Sequence, residues 1–132
     1  MVYCRVIEQN QSKHILIIDD SADQRLLLKI LLEAKGYTTE LTSNGEEGLK
    51  LLREKKVMPQ TILLDMNMDV MGGYEFRQLQ RADPLLKDIR VIVVSGDQDV
   101  NSISAKMNSE VITKPLKISV LLETLGRNSR LH

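Results

Sequence analysis

Thr61-Ile62-Leu63-Leu64-Asp65-Met66-Asn67-Met68 is a short aliphatic run that stops on a carboxylate. A run of this kind, without polar alternation, suits a strand buried on both faces of a parallel sheet. Its last residue then stands at the carboxyl end of the strand, where open α/β sheets place their ligands. Three other stretches have the same form. His14-Ile-Leu-Ile-Ile-Asp19-Asp20 ends on two acids, Arg90-Val-Ile-Val-Val-Ser95-Gly96 on a hydroxyl and a glycine, and Val111-Ile-Thr-Lys114-Pro115 on an amine. Three acids, a hydroxyl and an ammonium at the same ends of neighbouring strands make a candidate site.

Helical segments separate these runs. Ser21 is a candidate N-cap and Gly36 a candidate stop for a first helix, with Leu27, Ile30, Leu31 and Ala34 at core spacing and Leu26, Leu28 and Leu32 widening the apolar stripe. Tyr37–Leu41 has the alternation of an edge strand. Ser43-Asn44-Gly45 opens a second helix with Glu46 and Glu47 in its first turn, where the helix dipole favours acids. A third helix spans Tyr74–Arg81 and breaks at Asp83-Pro84. Strand four is Val91–Val94, a short helix follows over Ser102–Asn108, then a short strand over Val111–Thr113. A last helix runs Ser119–Leu125. Residues 1–13 read as a lead-in, 14–126 as one domain and 127–132 as a tail. The order βαβαβαβαβα predicts a five-stranded parallel sheet with helices on both faces.

The chain's 132 residues suit one domain with one core. Only 3% are aromatic, so Leu, Ile, Val and Met must build that core. Lys plus Arg balance Asp plus Glu at 18 each, which leaves no electrostatic footprint for nucleic acid. No apolar run has membrane-span length, and residues 1–9 are too mixed for a signal peptide. Cys4 is the only cysteine, so no internal disulfide forms and a cytoplasmic location is expected. Cys4 reads as a small residue of the lead-in, and His14 and His132 as solvated. Tyr74 and Phe76 read as core cover beside the third helix.

Asp19, Asp20 and Asp65 offer hard oxygen ligands, and crowding them is costly without a cation. Mg²⁺ fits that donor set and bridges readily to phosphate oxygens. Lys114 is a point charge suited to a phosphoryl oxygen, and Ser95 a hydrogen-bond donor to another. These are the parts of phosphoryl transfer, with Asp65 the best candidate nucleophile. Each piece alone has a bland reading: a cap acid, a turn lysine, a strand-end serine. Their joint occurrence at the ends of separate buried runs favours the functional one.

At these residues the sequence resembles the receiver domains of two-component response regulators, over about Lys13–Leu125. The matching pieces are Ile15–Arg25 with Asp19-Asp20, Asn44-Gly45-Glu-Glu-Gly-Leu49, Ile62-Leu-Leu-Asp65-Met-Asn67-Met, Met71-Gly72-Gly73-Tyr-Glu-Phe76, Val91–Gly96 and Thr113-Lys114-Pro115-Leu116. The resemblance implies a flavodoxin-like sheet of order 2-1-3-4-5, like the chemotaxis regulators. It implies that Asp65 accepts a phosphoryl group from a sensor histidine kinase or a histidine phosphotransfer protein. Asp20 and Asp65 would bind Mg²⁺ through their side chains, Asn67 through its carbonyl and Asp19 through water. Lys114 would pair with the phosphoryl group, Ser95 would turn toward it, and Lys114–Pro115 would be cis. Such a domain is no enzyme beyond transferring a phosphoryl group to itself and losing it to water.

The chain departs from the family pattern at several places. Asp69 stands where a proline is common, Gly72 where an acid is common, and Val111 where an aromatic residue is common. The segment from Ser95 to Lys114 is short, which predicts a shortened fourth helix. The expected function is a stand-alone receiver that signals through contact with a downstream protein, with no direct contact to nucleic acid or membrane. A phosphorelay intermediate and a receiver fragment of a hybrid histidine kinase are the alternatives. An aspartyl phosphatase would want a second carboxylate where Asn67 stands. A nucleotide-binding flavodoxin relative would want a glycine-rich loop where Asp19-Asp20-Ser21 stands.

Overall fold

β3 (Thr61–Asp65) is buried along its whole length, as its uninterrupted aliphatic run predicts. The computed structural model describes residues 13–54, 58–68 and 70–127. Within them, β1 (His14–Ile18), α1 (Ala22–Glu33), β2 (Thr38–Thr42), α2 (Gly45–Glu54), β3, α3 (Gly73–Ala82), β4 (Arg90–Ser95), α4 (Val100–Met107), β5 (Glu110–Thr113) and α5 (Ile118–Arg127) alternate without exception. The sheet is parallel throughout, in the order β2-β1-β3-β4-β5.

Alternate residues of the central strands feed two core layers, which is why those strands carry no polar face. Leu16, Ile18, Ile62, Leu64, Val91 and Val93 pack with Leu49 and Leu52 of α2, Phe76 of α3 and Ile103 and Met107 of α4. Ile15, Ile17, Leu63, Ile92, Val94 and Ile112 pack with Leu28 and Leu32 of α1 and Leu121 and Leu125 of α5. The strand register places Asp65 opposite Val94, so the chemistry-bearing ends of β3 and β4 lie side by side.

The helix ends follow from local chemistry. Ser21 Oγ accepts the Gln24 N–H at 3.2 Å, and Gly36 leaves the first helix region at φ +93, where L side chains are strained. α3 ends at Ala82 before Asp83-Pro84. α4 is the shortest helix of the five, and its C-cap Asn108 is left-handed at φ 51. It begins at Val100, two residues before the sequence-based start, because Asp99 caps it by accepting the Ser102 N–H.

Three expectations need correction. On α1 the buried residues are Leu28 and Leu32, whereas Leu27 and Ile30 are 50% and 57% exposed. The helix carries apolar residues at two overlapping spacings, and its rotation against the sheet selects the one containing Leu28. His14 is not solvated: it belongs to β1, and its ring bridges Thr38 Oγ1 and Glu40 Oε1 on the neighbouring strand. Tyr74 lies on the surface with the Lys106 ammonium 4.5 Å from its ring centroid, while Phe76 is fully buried. Cys4 and His132 lie outside the described residues.

Two buried polar residues of α3 were not anticipated. The Arg77 guanidinium donates to the carbonyls of Met107 and Asn108 at the C-terminus of α4 and to Gln80 Oε1. Gln80 in turn donates to the carbonyls of Leu86 and Ile89. Among the described residues no carboxylate pairs with Arg77; the negative end of the α4 dipole takes that place.

Candidate functional site

Asp65 ends β3 inside the molecule and is 4% exposed. Its Oδ1 lies 3.1 Å from Lys114 Nζ and accepts the Asn67 N–H at 3.3 Å. Asp19 and Asp20 follow β1 directly, and one carboxylate oxygen from each of Asp19, Asp20 and Asp65 lies within 4.8 Å of the others. The adjacency of β1 and β3 brings these acids together, as their positions at the strand ends predict.

Burial raises the Asp19 carboxyl above its ordinary value. The Ser21 N–H at 2.9 Å opposes this, the Asp65 charge adds to it, Lys114 opposes it, and Asp20 adds a smaller push. A cluster so arranged favours a cation. The donors are hard carboxylate oxygens, partly buried and mutually repelling, and they fit a divalent ion such as Mg²⁺.

Ser95 ends β4 and Lys114 follows β5. The Lys114 N–H donates to the Ser95 carbonyl at 2.8 Å, and the Lys114–Pro115 peptide is cis. Ser95 Oγ is buried and accepts the Asp97 N–H at 3.0 Å, so the hydroxyl is tied to its own loop. Asn67 is exposed beside Asp65. Gly73 permits the close approach of α3: a Cβ there would meet the Asp65 carbonyl oxygen and Met66 Cα at 3.0 Å. A cavity of about 410 Å³ joins Asp19, Asp20, Asp65, Asn67 and Lys114 to an apolar wall of Leu27, Leu31, Leu116 and Ile118. All the site residues expected from sequence except Ser95 line this one cavity; Ser95 is buried at the end of β4.

Nearly the whole chain, residues 15–126, matches the family model for the response regulator receiver domain. The chain belongs to the response regulator receiver family. This receiver is 31% identical to Protein PilH of Pseudomonas aeruginosa over 115 residues, covering 85% of the chain and 93% of its relative. It is 31% identical to sensor histidine kinase CheAY of Helicobacter pylori over 122 residues; that covers 89% of the chain but only 15% of the kinase. Among solved structures it resembles the signal receiver domain of a signal transduction histidine kinase from Syntrophus aciditrophicus. The TM-score is 0.79 at 32% identity, covering 91% of this receiver and 95% of that chain.

Arg25, within the stretch Ile15–Arg25, also reaches this cluster through the backbone. Its Nη1 donates to the Asp19 carbonyl at 2.6 Å. No residue-type pattern marks a side chain whose target is a main-chain oxygen.

Proposed function

We propose that this receiver is a phosphorylation-controlled switch in which Asp65 accepts a phosphoryl group from a phosphohistidine. The observation that carries this reading is the placement of Lys114 Nζ 3.1 Å from Asp65 Oδ1, at the edge of a three-carboxylate cluster. An Asp65 oxygen attacks phosphorus, the P–N bond breaks, and its electron pair leaves with the imidazole. The product is an acyl phosphate on Asp65. Lys114 neutralises charge on the transferred group, and the Ser95 hydroxyl leaves its loop amide to donate to a phosphoryl oxygen.

Asp19, Asp20, Asp65 and the Asn67 carbonyl are the groups that would hold Mg²⁺. Bound there, the ion offsets the charge of the acids and of the phosphoryl oxygens. The apolar wall beside the acids offers a donor protein a surface to rest on, and the similar receivers found within histidine kinases support a sensor histidine kinase or a histidine phosphotransfer protein as that donor. The protein's only turnover is phosphoryl transfer to itself and loss to water. Its output is contact with a downstream protein, in the cytoplasm.

Intact-mass spectrometry after incubation with Mg²⁺ and a small-molecule phosphodonor tests this. One phosphoryl group on the parent and none on Asp65→Asn is the expected result. Equal labelling of both would place the acceptor elsewhere and sink the proposal. Since similar receivers lie within histidine kinases, a relay role is the second reading. Onward transfer from Asp65 to a histidine phosphotransfer protein distinguishes it.

A further inference from the structure

Two of the three clustered acids have their carboxylates held directly. Asp65 is held by Lys114 and the Asn67 N–H, and Asp19 by the Ser21 N–H. The Asp20 side chain is exposed and makes no hydrogen bond or ion pair among the described residues. Its carboxylate is therefore aimed by the backbone that carries it. The peptide group joining Asp19 to Asp20 lies past the last residue of β1, where strand pairing no longer dictates its plane.

Two bonds fix the Asp19 backbone there. The Asp19 N–H donates to the Thr42 carbonyl at 3.1 Å, and the Asp19 carbonyl accepts from Arg25 Nη1 at 2.6 Å. The second bond sets the plane of the Asp19–Asp20 peptide. It is a single charge-assisted bond from one guanidinium nitrogen. Arg25 stands on α1, whose start the Ser21 cap anchors to the same turn.

We infer that Arg25 is a positioning residue for cation binding: by holding the Asp19 carbonyl it keeps the Asp20 carboxylate turned toward Asp19 and Asp65. It acts through the peptide. Without the bond, repulsion among the acids turns Asp20 out to water, and a cation must pay to bring it back. This rests on the reading of the cluster as a divalent-cation site.

Titration of Mg²⁺ alone into the unphosphorylated protein, followed by backbone amide NMR shifts, tests the inference. The same spectra report whether each variant is folded. Arg25→Met is expected to weaken Mg²⁺ binding by about tenfold, the scale of losing a partner that orients a ligand. Arg25→Lys keeps a donor in reach of the carbonyl and is expected to bind within about threefold of the parent. A folded Arg25→Met with parental affinity overturns the inference, as does a folded Arg25→Lys as weak as the Met variant. A parent that binds no Mg²⁺ overturns the reading of the cluster itself, so the two failures are distinct.

Discussion

Asp19 shows what a buried acid costs when its neighbours are also acids. Burial raises its carboxyl, and Asp65 and Asp20 push the same way. The folded protein thus holds the Asp19 proton more tightly than the unfolded chain does. The stability this contributes is fully present below the unfolded value near 3.8 and is lost as pH rises through the raised folded value. In chelator, stability should fall across that window, and Asp19→Asn should flatten the fall. The variant should also gain on the order of 1 kcal/mol at neutral pH, read by urea unfolding. Mg²⁺ should then stabilise the parent more than the variant, because binding to the folded state alone shifts the equilibrium. An Asp19→Asn protein less stable than the parent in chelator would show that the cluster is not under repulsion. Asp19, Asp20, Asp65, Ser95 and Lys114 were all legible in the sequence, because each terminates or directly follows a β-prone run. Arg25 and Arg77 were not, because both bind main-chain carbonyls, which are present at every position.

α1 and α3 show why elements are easier to find in a sequence than to orient. α1 was bounded by Ser21 and Gly36, but Leu26, Leu27, Leu28, Ile30, Leu31 and Leu32 satisfy more than one helical stripe. Only packing against the sheet buries Leu28 and Leu32 and leaves Leu27 and Leu31 to line the cavity. On α3 the difficulty is reversed: Arg77 and Gln80 look like surface residues and are buried. Their side chains satisfy four carbonyls, two of them at the end of a helix only eight residues long. Arg77→Ala should leave the Met107 and Asn108 carbonyls without their donor and open a cavity. The expected cost is about 2–4 kcal/mol in urea unfolding. Amide exchange should accelerate over residues 104–109 more than in β1 or β3. Uniform acceleration across the sheet would mean that Arg77 is ordinary packing and not a clasp on α4.

The whole molecule is a rigid sheet with its chemistry at one end and a chain of turn bonds leading away from it. β1, β3 and β4 are held between two apolar layers, which fixes the strand ends that carry the acids. The turn bonds that lead away from the site lie beyond β4. Ser95 Oγ accepts from the Asp97 N–H, Asp97 Oδ1 accepts from the Asp99 N–H, and Asp99 Oδ1 accepts from Ser102 in the first turn of α4. At the far end Arg77 pins the C-terminus of the same helix. Val111 in β5 packs against the α4 layer. A phosphoryl group that draws the Ser95 side chain toward it pulls Oγ away from the Asp97 N–H, and the next two bonds link that change to the α4 cap. Beryllofluoride with Mg²⁺ should therefore shift the backbone amides of residues 96–102 strongly. Residues 105–109 and β2 should shift little. Asp99→Ala removes the last link, and should leave the response at 96–98 while abolishing it at 101–102. Equal shifts along the whole of α4 in the parent would mean that the helix moves as a body. An intact response at 101–102 in Asp99→Ala would mean that the signal leaves the site by another route.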